Sequence, residues 1–292
     1  MYAKDKETAD KAAVAAFIRI DEINEAASDY LPESELSRFN KHETGEPFPI
    51  SEDFARLLAA SLETSRITDG AFDITATYGV QQWRRAKRHQ KLPSAEETAK
   101  AITMTDWRAL KFDPIAKTLT KLKPGLRLDM GAIGKGYAAD AALAALKAHG
   151  ISQALVAASG DLAIGDAPPG KEGWSVFLRT FEKPEQSDHL VRLTLKNCAV
   201  STSGDLHQFL EIKDKRYSHV INPKTGLGLT NRIACTIIAP NCTTSDSFDN
   251  AGCVLGVERG LKIFTEQNVQ ARFVTLEEDG TLKVSTTAGF PH

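Results

Sequence analysis

The amino-acid sequence predicts a mixed α+β fold, built as one large domain of two intimate lobes. Segments with helical periodicity dominate the first third of the chain, and short runs rich in β-branched and apolar residues dominate the second half. With 292 residues, of which 42% are hydrophobic and 25% charged, the chain is long enough to bury a sizeable core.

The helices are predicted from apolar periodicity and from local start signals. A serine followed by early acids after Pro93 is typical of a helix start, whereas residues 34–40 are predicted to form a loop. The predicted helices are 6–27, 53–67, one that starts near residue 93, one that follows Gly136 and runs to about 150, 245–255 and 258–266.

The strands are predicted from short β-rich runs between turn signals. A Glu-Asp-Gly turn joins the last two into a hairpin, and residues 181–188 are predicted to form an exposed hairpin loop. The predicted strands are 118–128, 153–158, 174–179, 191–195, 199–202, 216–221, 233–239, 272–276 and 282–285.

Charge and apolar patterning exclude several classes of partner. A formal net charge of −2 and a pI of about 6.4 give no reason to expect nucleic-acid binding or binding to a membrane surface. No apolar run approaches the eighteen residues or so of a membrane span, so no direct membrane span is predicted in this chain. The basic run 83–89 is predicted to be a solvated helix end, and the alternative is a docking patch for an acidic partner.

The four cysteines lack the C-x-x-C spacing of zinc and redox motifs. Cys235 and Cys242 are placed so that they could pair across a turn, and an unpaired buried set is the alternative.

The segment 126–140 combines an apolar run, an acid, a glycine-rich turn and a helix start. An apolar run that is predicted to be a strand meets Asp129, a turn follows with glycines around Lys135, and a helix then begins. Glycines allow close approach of the backbone to a ligand, and the N–H groups of a helix start attract anions, so a phosphate-bearing ligand fits this junction. An ordinary packed strand–helix corner is the alternative.

A second polar cluster lies at the start of a predicted helix. Asp246, Asp249 and Asn250 are spaced to share one helical face, and their oxygens suit a hard cation such as Mg²⁺. The alternative is that the acids simply favour the helix dipole. A third polar segment, 216–226, places His219 at the end of a strand, before an Asn-Pro-Lys-Thr-Gly turn.

Seven motifs occur in the order typical of the ApbE family of flavin transferases, which the chain resembles over nearly its whole length. They are residues 34–40, 70–75, 129–140, 159–161, 200–205, 217–226 and 245–251. The resemblance implies an ApbE-like sheet-and-helix fold over residues 1–292. It also implies a Mg²⁺-dependent enzyme that cleaves FAD, transfers the FMN half to a threonine hydroxyl of an acceptor flavoprotein, and releases AMP.

The resemblance also assigns roles to residues. His219 is the expected general base toward the acceptor threonine, since its ordinary pKa lies near neutrality. Metal contacts are expected from the Ala132 carbonyl and from the side chains of Asp246, Asp249 and Asn250, the last of which replaces the usual threonine of the family. Flavin contacts are expected from Tyr30, Ala71, Phe72, Asp73, Asp129, Lys135 and Ile221.

Two other activities fit the same residues. One is an FAD pyrophosphatase that uses water as acceptor, and the other is a non-enzymatic FAD-binding protein. Members of the family normally begin with a strand containing Met-Gly-Thr, which is missing before the first predicted helix. We therefore expect an exported, periplasmic or membrane-anchored lipoprotein precursor whose leader and first strand are not in this chain.

Overall fold

The computed structural model describes residues 1–178, 181, 191–205 and 208–291. It confirms the mixed α+β class, with seven α-helices, one short 3-10 helix and fifteen strands in these ranges. The helices are α1 (Lys6–Ala27), α2 (Glu35–Lys41), α3 (Glu52–Ile67), α4 (Thr77–His89), α5 (Ala95–Met104), α6 (Gly134–Ala148) and α7 (Cys242–Glu266).

The strands are mostly short, and every pair is antiparallel. They are β1 (Phe48–Pro49), β2 (Leu110–Asp113), β3 (Thr118–Lys121), β4 (Leu155–Ala158), β5 (Asp161–Ile164), β6 (Trp174–Leu178), β7 (Val191–Leu195), β8 (Cys198–Gly204), β9 (Phe209–Ile212), β10 (Lys215–Ser218), β11 (Ile221–Asn222), β12 (Leu227–Gly228), β13 (Ile233–Ala239), β14 (Gln270–Leu276) and β15 (Leu282–Thr286).

The chain divides into two compact units, each discontinuous in sequence. The first comprises Met1–Glu22, Lys135–Leu206 and Arg232–His292, and the second comprises Ile23–Gly134 and His207–Asn231. The extent of a single family domain over 1–292 stays a prediction.

The first unit is built on a six-stranded sheet in the order β15-β14-β13-β8-β5-β4. Helix α7 packs on this sheet, where Phe248 and Phe264 stack with their ring centroids 5.3 Å apart and Phe264 stacks in turn on Phe273 of β14. Small residues let α1 and α6 come close, since Ala12 and Ala16 belong to the same buried cluster as Ala139 and Leu143. This packing fixes the first residues of α6 and α7, where the polar residues of interest lie.

The second unit contains α2 to α5, a three-stranded sheet β1-β3-β2, and the two ribbons β9–β10 and β11–β12. Helix α5 begins as predicted, because Ser94 and Glu97 form a reciprocal capping box. The basic run forms the end of α4, as predicted, with Lys87, Arg88 and His89 in its last turn.

Two predictions in the second unit are wrong. Residues 34–40 form α2 rather than a loop, since Ser34 caps the helix by accepting a hydrogen bond from the Ser37 N–H. The predicted strand 118–128 ends at Lys121. Leu126 and Leu128 are fully buried as a strand would require, but the Asn40 side chain bonds both the N–H and the carbonyl of Leu128 in place of a neighbouring strand.

Other predictions differ from the structure in detail. The two helices predicted at 245–266 form α7, which is interrupted at Gly256 by a backbone turn with φ of 76°. The hairpin loop predicted at 181–188 lies outside the described residues apart from Phe181. All four cysteines are free. Within the described residues, no helix is long and apolar enough to cross a membrane.

Candidate active site

Three aspartates of the first unit meet at the start of α6. Asp246 and Asp249 lie on one face of α7, as their spacing predicts, and Asp161 begins β5. All three side chains are buried. The ammonium of Lys135 bonds the Asp161 carboxylate and lies 3.2 Å from Oδ1 of Asp246. The Gly136 N–H donates to Oδ2 of Asp246 over 2.8 Å, so the beginning of α6 holds this carboxylate from two sides.

A glycine is required at this contact. A Cβ on Gly136 would lie 2.2 Å from the Cys242 carbonyl oxygen and 2.8 Å from the Asp246 Cβ. The absence of a side chain therefore lets α6 approach the first turns of α7.

The electrostatics of this aspartate cluster are dominated by burial. Burial raises the pKa of Asp246 to about 6, with the charge of Asp161 adding to the rise and Lys135 opposing it. Burial together with the charges of Asp161 and Asp246 raises the pKa of Asp249 well above its ordinary value. Burial lowers the pKa of Lys135, but the neighbouring carboxylates raise it more, so Lys135 stays charged. In the part of the chain that the structure describes, Lys135 is the cation that faces these three acids.

The donor set fits a hard divalent cation, since carboxylate oxygens dominate it. Among the described residues, no three His, Cys, Asp or Glu side chains already stand in a metal-binding arrangement. The Lys135 ammonium lies between Asp161 and Asp246 and occupies the place of a cation there.

Asn250 supports the cluster through its amide group. Its Nδ2 donates to Oδ1 of Asp249 and to the Asp246 carbonyl, each over 2.9 Å, and its Oδ1 accepts from the Ser203 hydroxyl over 3.1 Å. The amide thus orients Asp249, and the amide oxygen is engaged by Ser203. Ala132 belongs to the second unit, in the turn where the Gly134 N–H donates to the Met130 carbonyl over 2.7 Å, and its role as a metal ligand stays a prediction.

Asp129 and Tyr30 are linked by Arg84 in the second unit. The Arg84 guanidinium lies 3.3 Å from the Asp129 carboxylate, 2.5 Å from Asp29, and 5.0 Å from the centre of the Tyr30 ring. Burial and the charge of Asp29 raise the pKa of Asp129, while the Gly131 N–H and Arg84 oppose the rise. Tyr30 is 76% exposed, so most of its surface is open to a flat ligand.

The segment 71–73 follows α3 and is largely buried. Phe72 is only 3% exposed, so its ring offers little surface for stacking. The Asp73 carboxylate accepts hydrogen bonds from Thr75 and from the Trp107 N–H over 2.6 to 3.1 Å, and burial raises its pKa. The Asp73 side chain is thus used to close the turn after α3.

His219 lies between β10 and β11 of the second unit. Its Nδ1 is 3.2 Å from the Gln208 carbonyl oxygen, which also accepts the His219 backbone N–H. A proton on Nδ1 bonds this carbonyl and leaves Nε2 as the basic nitrogen. The following turn is closed by Asn222, whose carbonyl accepts from the Gly226 N–H and whose side chain accepts from the Lys224 N–H. The hydrogen bonds that close this turn therefore do not involve the side chain of His219.

A family model described as the ApbE family matches residues 2–273. The chain belongs to the ApbE family. It is similar to proteins named FAD:protein FMN transferase, with 28% identity over 277 residues for that of Vibrio cholerae serotype O1 and 31% over 270 residues for that of Escherichia coli K12. These matches cover 93% and 89% of this chain, and 81% and 76% of the two relatives.

Solved structures of the ApbE family have the same fold. The flavin transferase ApbE from Vibrio cholerae gives a TM-score of 0.86 at 27% identity over 96% of this chain and 89% of that one. The flavinyl transferase ApbE from Pseudomonas stutzeri in its apo form gives 0.85 at 28% identity over 96% of this chain and 87% of that one.

Sequence reasoning missed two residues that contact predicted site residues, one in each unit. Asp161 occurs in one of the seven motifs, but only the fold brings it to Lys135 and the aspartates of α7. Arg84 lies in the run predicted to be a solvated helix end, and its pairing with Asp29 and Asp129 has no local signal in the sequence. Lys135 and Ile221 lie in different units, and their flavin contacts stay predictions, as do those of the other residues named for them.

Proposed function

We propose that this chain transfers the FMN half of FAD to a threonine hydroxyl of an acceptor flavoprotein and releases AMP. The observation that carries the proposal is the aspartate cluster around Lys135 in a chain of the ApbE family. Buried like charges destabilise a folded protein, so their presence indicates a binding or catalytic role.

The aspartate cluster is the proposed Mg²⁺ site. Asp246 and Asp249 would hold the ion, with Asn250 and the Ala132 carbonyl as further proposed ligands, and bound Mg²⁺ would neutralise charge on the phosphate oxygens of FAD. Lys135 is the one cation in the cluster and lies in the first turn of α6, where backbone N–H groups also favour an anion. Once displaced from Asp246, its ammonium is available to a phosphate group of FAD.

His219 is the proposed general base. The threonine oxygen attacks the phosphorus of the FMN half, a new P–O bond forms, and the pyrophosphate P–O bond breaks so that AMP leaves with the bridging oxygen. The hydroxyl proton passes to Nε2 of His219, while Nδ1–H remains on the Gln208 carbonyl. Tyr30 offers its exposed ring to a flat part of FAD, and Asp129, Ala71, Phe72, Asp73 and Ile221 are the other proposed contacts.

A single incubation tests this reaction. The protein is mixed with FAD, Mg²⁺ and a threonine peptide, and AMP release and peptide mass are followed together. We expect AMP and a peptide heavier by the FMN group, both lost when the peptide threonine is replaced by valine. AMP and FMN without peptide modification would assign a pyrophosphatase instead, and FAD binding without AMP would assign a non-enzymatic flavin-binding protein.

We also propose that the protein acts outside the cytoplasm as an exported, lipid-anchored precursor. The support is the family resemblance, since many members carry a lipoprotein signal. Expression of the whole native reading frame with a labelled fatty acid tests it. Label on the protein in the membrane fraction is expected, and unlabelled protein in the cytosol would contradict the proposal.

A further inference from the structure

A shallow groove in the second unit lies beside His219, and apart from Ile221 its lining residues have no role in the steps above. It is formed by α4, the segment after α4, and the β9–β12 ribbons, and its wall is mainly apolar. The larger side chains along it are Trp83, Leu92, Leu210, Tyr217, Ile221 and Leu227.

Two polar atoms in this groove are buried without a hydrogen-bond partner among the described residues. One is Oε1 of Gln82, a residue only 8% exposed whose Nε2 donates to the Glu97 carbonyl over 2.6 Å. The other is Nε1 of Trp83. Buried polar groups are normally paired, so an unpaired acceptor and an unpaired donor on two residues that line the same groove favour a ligand that carries both kinds of group. An extended polypeptide offers an N–H and a carbonyl at each residue.

The charges beside the groove favour an acidic segment. Lys87, Arg88 and His89 are exposed at the end of α4, and the Lys87 ammonium lies 5.3 Å from the centre of the Trp83 ring. The facing helix α5 carries two acidic residues in its first turn, Glu96 and Glu97. Glu97 already pairs with Arg85 and caps its own helix. The helix dipole accounts for basic residues in the last turn, but not for the unpaired groups of Gln82 and Trp83.

The groove leads toward the proposed base. The rings of Trp83 and His219 are 6.1 Å apart between centroids, and Ile221, two residues after His219, lines the groove. We propose that this groove docks an extended, acidic segment of the acceptor protein beside its threonine. The inference rests on the proposed function, because it names the docking surface for that acceptor.

Peptide binding without FAD tests the groove separately from the reaction. Three labelled threonine peptides, which differ only in acidic, neutral or basic flanks, are titrated by fluorescence anisotropy. We expect the acidic peptide to bind most tightly. We expect Trp83→Phe, which keeps an aromatic ring of smaller size and loses the N–H, and Lys87→Glu each to weaken its binding by about tenfold. Lys111→Glu, an exposed lysine of the same unit on β2, is the matched control and should bind like the native protein.

Folding of each variant is checked by thermal melting, and a second arm measures FMN transfer to the same peptides. Binding of the acidic peptide without transfer would support the groove and contradict the proposed reaction. Transfer with equal binding by native protein, Trp83→Phe and Lys87→Glu would support the reaction and overturn the groove. The groove is also overturned if no peptide binds, if all three bind equally, or if sedimentation shows a second copy of this chain held through Lys87.

Discussion

The contacts of His219 are compatible with its proposed role as a general base. The ring and the backbone both bond the Gln208 carbonyl, and the neighbouring turn is closed by Asn222. A fixed tautomer with Nε2 as the acceptor is what a general base needs.

Replacement of this histidine tests its role. We expect His219→Ala to lower FMN transfer by about 10²–10⁴-fold and to leave FAD affinity and the melting temperature nearly unchanged, since only proton removal is lost. Asn222→Ala is the structural control and should lower the melting temperature by removing the bond to the Lys224 N–H. A drop in His219→Ala as large as in Asn222→Ala would indicate that the histidine holds the fold.

Asp129 makes stability depend on pH. Its pKa in the folded protein is raised, chiefly by burial, so the cost of its buried charge is absent below the unfolded pKa and grows as pH rises through the folded pKa. Asp129→Asn keeps an oxygen for the Gly131 N–H and removes the charge. Relative to native protein, we expect the variant to gain stability in urea unfolding as pH rises from about 4 to about 7.

The exposed Asp279 provides a control of opposite sign. Hydrogen bonds from Thr281 lower its pKa, so its contribution is present above the unfolded pKa and is lost as pH falls through the folded pKa. Asp279→Asn should therefore lose stability relative to native protein as pH rises. A stability difference for Asp129→Asn that is constant with pH would contradict the assignment.

At the scale of elements, the close approach of α6 to α7 depends on one glycine. Gly136→Ala would place a methyl group against the backbone of Cys242, which cannot move as a flexible side chain would. We expect a loss of about 1–3 kcal/mol in the free energy of unfolding, measured by urea titration. Gly134→Ala, one residue from Lys135 on the other side, meets only the Met130 Cβ at 3.9 Å and should cost far less. Equal losses in the two variants would show that this contact does not limit the packing.

Elements with strong local signals were predicted correctly. Helix α5 carries its capping box within four residues, and the last hairpin carries its turn between two β-rich runs. The strand predicted through Leu128 was wrong because its alternation of buried leucines is shared by an extended segment that Asn40 holds from far away in sequence. Helix α2 was missed because it has only seven residues, too few for periodicity to show.

The candidate site also contains some features that have a local signal in the sequence and others that do not. The spacing of Asp246 and Asp249 places both on one helical face, and that was visible in the sequence. The addition of Asp161, the ammonium of Lys135 between the acids, and the use of Asn250 to orient Asp249 all depend on contacts between separate elements. Such contacts leave no local pattern in a single sequence.

At the scale of the whole molecule, the proposed metal site should reverse the effect of one mutation on stability. Without metal, Asp249→Asn removes an acid whose ionisation is disfavoured by burial, and it should raise the melting temperature by about 2–4 °C for each kcal/mol gained. With Mg²⁺ at about a hundred times its dissociation constant, native protein should gain about 2.7 kcal/mol and the variant much less.

Thermal melts in EDTA and in Mg²⁺ measure both effects, with Asp279→Asn as an exposed control that should show the full response to Mg²⁺. Equal gains from Mg²⁺ in native protein and Asp249→Asn would remove Asp249 from the ion site.

The ammonium of Lys135 gives the aspartate cluster a counter-ion from within the chain. Without this lysine the buried acids would stay protonated or need a cation from solution, whereas Lys135 lets the chain fold with its own positive charge in place. Under the proposed function, loading of the metal would be a substitution that releases the lysine toward the anionic substrate. Lys135 would thus set the order in which the active enzyme assembles. The chain would fold first, and the metal and the nucleotide would then bind together.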